Sequence, residues 1–81
     1  HFMQPEDVME ERELKEKLVE SLEALNEKEK LVIQMYYYDE MTLKEIAAVL
    51  EVSESRVSQI HTKALNKMRD KLGRYLGILL K

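Results

Sequence analysis

The sequence predicts a small all-α domain of four helices joined by short turns, the last two forming a helix-turn-helix. Three observations carry that prediction. The 81 residues include only two Gly and one Pro, whereas Leu, Glu and Lys, all good helix formers, are abundant. Apolar residues recur at three- and four-residue spacings. Asn26, Thr42 and Ser53 stand where such runs begin, as helix caps do.

The first helix is expected from about Glu6 to Leu25, with Leu14, Leu18, Leu22 and Leu25 as one apolar stripe on a charged rod. Pro5 suits a helix's first turn, where its missing N–H costs nothing. The second begins at Asn26, with Glu29 placed to complete a capping box. It carries Leu31, Val32, Ile33, Met35 and Tyr36 and is expected to fray near Tyr38-Asp39-Glu40. Thr42-Leu43-Lys44-Glu45 is a second capping box, opening a short helix with Ile46, Ala47, Val49 and Leu50. Ser53 then caps a fourth helix from Glu54 to about Leu72, whose buried stripe is Val57, Ile60, Ala64, Met68 and Leu72. Gly73 is expected to end it in the left-handed conformation.

Composition narrows the function. The chain is long enough for one domain and too short for a two-layer α/β enzyme with a deep cleft. No stretch approaches the ~20 apolar residues of a membrane span. The absence of cysteine excludes a disulfide scaffold and fits a reducing compartment. With no signal-peptide pattern at its start, the chain is expected to be cytoplasmic. His1-Phe2-Met3 reads as vector sequence on a fragment, so the expected organisation is a tail at 1–5, a domain at 6–73 and an apolar tail at 74–81. Dense Glu and Lys with little Asn and Gln hint at a thermophilic source.

The net charge of −3 conceals a polarity. Residues 1–52 hold 6 Lys/Arg against 14 Asp/Glu, a balance of −8; residues 53–81 hold 7 against 2, a balance of +5. One end of the domain is therefore suited to an anionic partner.

The segment Thr42–Gln59 carries the chemistry. Ala47 is small where two helices would cross steeply, and Ile46, Leu50, Val52, Val57 and Ile60 supply the contacts that lock the pair. Such a scaffold holds the start of the second helix outward, ready for a DNA major groove. Around inward Val57 and Ile60 lie Glu54, Ser55, Arg56, Ser58 and Gln59. Arg pairs with guanine, Gln with adenine, Glu accepts from cytosine, and Ser is permissive. Lys63, Lys67, Arg69, Lys71 and Arg74 continue the helix as charge for phosphates.

Two stretches resemble a known family. Leu25–Lys30 followed by Tyr36–Ile46 is similar to region 4 of bacterial sigma-70 family sigma factors. Val52-Ser53-Glu54-Ser55-Arg56-Val57-Ser58-Gln59-Ile60-His61-Thr62-Lys63-Ala64-Leu65 resembles the recognition helix of the flagellar (sigma-28) class. The resemblance, over roughly residues 10–72, implies a domain that reads the promoter −35 element while held on RNA polymerase through the β-subunit flap. It also implies capture by an anti-sigma factor. Carried over by position, Glu54, Ser55, Arg56, Ser58 and Gln59 are the base-contacting residues. Lys28, Thr42 and Leu43, with Ser53 at the cap and Lys63 beyond Gln59, are the expected backbone contacts. Lys28 stands where Arg is usual, Tyr36 where housekeeping members have Arg, and Glu51 where many helix-turn-helix proteins have Gly. A left-handed Glu51 would carry about 1 kcal/mol of strain.

Two other function classes fit parts of the same sequence. A LuxR-type output domain shares the capped second helix and the helix-turn-helix, but would dimerise on inverted half-sites; a sigma domain is expected to act as a monomer on one asymmetric site. A helical adaptor held by apolar grooves is the other alternative. Tyr36-Tyr37-Tyr38 reads as core and helix-end packing, because consecutive helical residues do not share a face. His61 is expected beside the DNA backbone or on the helix surface, and Gly73 and Gly77 make only a weak membrane-dimer pattern. No catalytic constellation, cofactor motif or metal-ligand spacing is present, so no enzyme is expected.

Overall fold

Capping and apolar spacing account for nearly every boundary in the computed structural model, which describes residues 11–75. The expected helix start at Glu6, the tail at 1–5 and the apolar run Ile78-Leu79-Leu80 lie outside those residues. Helix α1 spans Glu11–Glu23, α2 Glu27–Ile33, α3 Leu43–Leu50 and α4 Glu54–Leu72. Both capping boxes form. Asn26 accepts from the Glu29 N–H at 2.8 Å while the Asn26 N–H donates to the Glu29 carboxylate at 2.9 Å. Thr42 and Glu45 repeat the exchange at 3.1 and 2.8 Å.

Between α2 and α3 helical structure ends over residues 38–40, as expected, but through an unforeseen π turn. Gln34–Tyr38 is a π-helical segment closed by Asp39 N–H to Gln34 O at 3.0 Å, followed by Met41 N–H to Met35 O at 2.9 Å. Glu40 (φ 56°) and Glu51 (φ 59°) turn the chain through the left-handed region at the ends of the π segment and of α3. Glu51 thus takes the αL conformation its position implied, and Val52 N–H bonds back to Ala47 O at 3.0 Å to close α3. Gly73 also has positive φ, but its ψ of −132° lies outside αL; the chain passes into a 3₁₀ turn, Gly73–Tyr75, instead of stopping.

Two apolar clusters form, and α4 contributes to both. Val57 and Ile60 pack with Val32, Ile46 and Ala47, bordered by Met35, Met41, Leu43, Leu50 and Val52, and this cluster holds the helix-turn-helix. Ala64, Met68 and Leu72 pack with Leu25 and Ile33, bordered by Leu18, Leu22, Tyr37, Leu65 and Tyr75. All five expected stripe residues of α4 are buried, whereas Leu31 and Val49, expected on apolar faces, are exposed. Ser21, unremarked in the stripe of α1, is buried, with its hydroxyl donating to Leu18 O at 2.7 Å. Among the described residues no helix is long and apolar enough to cross a membrane.

Ala47 is 6% exposed, at the crossing of α3 and α4. Ala47→Leu is expected to overpack that crossing and lower unfolding free energy by about 1–3 kcal/mol in urea titrations.

Candidate nucleic-acid interface

The start of α4 differs from those of α2 and α3 in one position. Ser53 caps it by accepting from the Arg56 N–H at 3.0 Å. In α2 and α3 the third helical residue is a glutamate that reaches back to the cap; in α4 it is Arg56, which has no acceptor to offer. Its side chain leaves the helix outward instead. Val57 is 0% exposed and Ile60 5%, so the complementary arc must face solvent. Glu54, Ser55, Arg56, Ser58 and Gln59 are all exposed, as expected of base-reading residues. Arg56 Nη1 stands 3.4 Å from Gln59 Oε1, a long, exposed contact that either group can exchange for a base edge.

Beside this arc, the start of α2 and the first turns of α4 enclose a cleft of about 480 Å³ lined by Asn26, Lys28, Arg56, Gln59, Ile60 and Lys63, together with Glu27 and Glu29. Lys28 and Lys63, distant in sequence, thus flank one groove with Arg56. Thr42 and Leu43 lie elsewhere, on a shallower cleft with Tyr36, Tyr37, Glu40 and Met41. The Leu43 and Lys44 amides belong to the first turn of α3, where no intrahelical acceptor exists. The expected backbone contacts therefore form two separate seats.

Lys67, also expected to supply charge for phosphates, is engaged within the protein. Lys67 donates to the Glu29 carboxylate at 2.9 Å, and Glu29 is 2% exposed. Burial alone would raise the Glu29 pKa. The Lys67 hydrogen bond, the Asn26 amide and the charges of Lys67 and Lys63 outweigh it and hold the carboxyl below its ordinary value. Lys67 is therefore withdrawn from any phosphate-binding set. Its spacing was the missed signal: seven residues past Ile60 and three past Ala64, it falls on the inward-leaning face. Lys71 shares a hollow with Glu20, Glu23 and Ala24 of the acidic part of the chain, and Arg69 donates to Asn66 at 3.2 Å.

His61 does not stand free on the helix surface. It is half-buried, with Nε2 2.8 Å from the Tyr37 hydroxyl. Its ring lies 5.5 Å from that of Tyr37, nearly parallel, and 5.0 Å from that of Tyr36. Burial pushes its pKa down and that of Tyr37 up. Tyr36 and Tyr37, though consecutive, both reach it because the wider π turn separates successive side chains by less rotation than an α turn. Tyr38 is exposed and takes no part. Among the described residues no group of three His, Cys, Asp or Glu could hold a metal ion.

A capped helix-turn-helix that displays a polar, cation-bearing arc from a sealed helix defines a DNA-binding domain. Residues 21–70 match the family described as "Sigma-70, region 4". The chain belongs to this sigma-70 region 4 family. It is 54% identical over 61 residues to "RNA polymerase sigma factor FliA" of Escherichia coli K12, covering 75% of this chain and 26% of that protein. It is 50% identical over 64 residues to the protein of the same name in Salmonella typhimurium, covering 79% and 27%. With "RNA polymerase sigma-D factor" of Bacillus subtilis it shares 47% over 68 residues, covering 84% and 27%. The chain thus spans about a quarter of the length of these relatives. No solved structure matches it significantly.

The Glu29–Lys67 pair makes stability acid-sensitive. A carboxyl with lowered folded pKa contributes fully above its ordinary 4.5, and the contribution disappears as pH falls through the lowered value. Glu29→Gln is expected to cost about 1–3 kcal/mol at pH 7 and to flatten the loss of melting temperature below pH 4.5. Thermal melts across pH check both effects.

Proposed function

We propose that this domain reads the promoter −35 element for a flagellar-class sigma factor. Helix α4 enters the major groove; Arg56 and Gln59 make the main base contacts, flanked by Glu54, Ser55 and Ser58. Lys28 and Lys63 hold the backbone on one side and Thr42 and Leu43 on the other, with Ser53 at the helix start. The observation that carries this reading is the burial of Val57 and Ile60, which turns residues 54, 55, 56, 58 and 59 outward together.

The domain acts as a monomer in the cytoplasm, on RNA polymerase core engaged through the β-subunit flap. Its few free cations and acidic body make it a weak DNA binder alone, and attachment to polymerase supplies the missing affinity. Val19 and Leu31, exposed on that acidic part, support a protein partner there. An anti-sigma factor is the second partner of this kind.

In polymerase reconstituted with the full-length factor, Arg56→Ala and Gln59→Ala are each expected to reduce preference for the consensus −35 sequence by roughly 5- to 150-fold. Competition between consensus and base-substituted promoters measures it. Lys63→Ala should weaken both promoters alike and lower the salt dependence of binding by about one counterion. An unchanged preference in Arg56→Ala and Gln59→Ala overturns the assignment.

A further inference from the structure

Helix α4 bears the base-facing arc, and its apolar stripe, shared by two clusters, decides which side of it faces solvent. Two directional contacts tie it to the α2–π rod. One is Glu29–Lys67; the other is Tyr37–His61, 24 residues apart in sequence and joined at 2.8 Å. His61 stands one turn after Val57 and Ser58, so it is the fixed polar point nearest the reading arc. Tyr36 meets the Tyr37 ring edge-on at 5.0 Å and lies 5.0 Å from the imidazole, closing over the pair. Leu65, one turn further along α4, borders the cluster that Tyr37 also borders. The π segment is what brings both rings to one point, and π turns recur where function has a use for them.

From this we infer that His61 and Tyr37 are positioning residues for base recognition: their hydrogen bond, roofed by Tyr36, sets the roll of α4 and hence the aim of Arg56 and Gln59. The inference rests on the −35-reading assignment above. Tyr37 lines the cleft that holds Thr42 and Leu43, but its hydroxyl is spent on His61, so neither residue contacts a base in this account. Losing the bond lets the helix rock about its apolar stripe, which blurs the distinction between right and wrong bases while leaving phosphate binding intact. With the imidazole in its Nδ1–H tautomer the Tyr37 hydroxyl donates to Nε2, so a side chain able to accept at the same place should serve in its stead.

The test uses polymerase reconstituted with the full-length factor, and reads the ratio of open-complex formation on consensus against −35-substituted promoters. Tyr37→Phe and His61→Phe are each expected to lower that ratio about 3- to 10-fold, the worth of one directional hydrogen bond, with formation on the substituted promoter unchanged. The double variant should lose no more than either single one, and His61→Gln should recover most of the ratio. Losses that multiply in the double variant, a ratio that stays constant, or equal falls on both promoters overturn the inference. Thermal melts identify a variant that unfolds; equal falls count in folded variants only, and Tyr37→Phe and His61→Gln, the milder changes, keep the comparison available. Arg56→Ala is run alongside. If it loses discrimination and Tyr37→Phe does not, only the positioning role fails; if Arg56→Ala keeps full discrimination, the −35 assignment fails first.

Discussion

One helix has to satisfy two cores. The buried stripe of α4 runs from Val57 to Leu72, its first part closing the helix-turn-helix cluster and its second part the cluster under α1. Val32 and Ile33, adjacent on α2, go one to each cluster, so α2 is wedged across the same divide. This double duty fixes which arc of α4 remains for solvent. The polar residues before and between Val57 and Ile60 have no other direction to take.

The charge polarity of the chain is put to use within that frame, but more selectively than a count of cations implies. Lys67 answers the buried Glu29, so one cation of the far half of α4 is spent on the acidic body. Lys28, Arg56 and Lys63 remain together around one cleft. A positive end built from three side chains, rather than from the whole basic third, concentrates attraction where the reading arc begins.

Most of the fold was legible because its signals are local. Asn26/Glu29, Thr42/Glu45 and Ser53 each declare a helix start within four residues, and the stripe of α4 is read from spacing alone. The exposed set 54, 55, 56, 58 and 59 followed from the same spacing. What escaped was long-range or irregular. Glu29–Lys67 and Tyr37–His61 join residues 38 and 24 positions apart, and no periodicity pairs them. The π segment could not be anticipated either, since Gln34–Tyr38 contains nothing that forbids an ordinary α turn; it follows from how α2 must meet α3. The tyrosine run packs at the core and helix end as expected, Tyr37 against the second cluster, but the rule that neighbours diverge relaxes where the turn widens.

The sharing of α4 between the two clusters also bears on how the domain comes apart. Neither cluster can open without stripping contacts from the helix that completes the other, so disorder has no natural boundary at which to halt. A partly melted molecule that still displays a competent DNA-reading surface is thereby disfavoured. Recognition and foldedness become nearly a single all-or-none property of the domain.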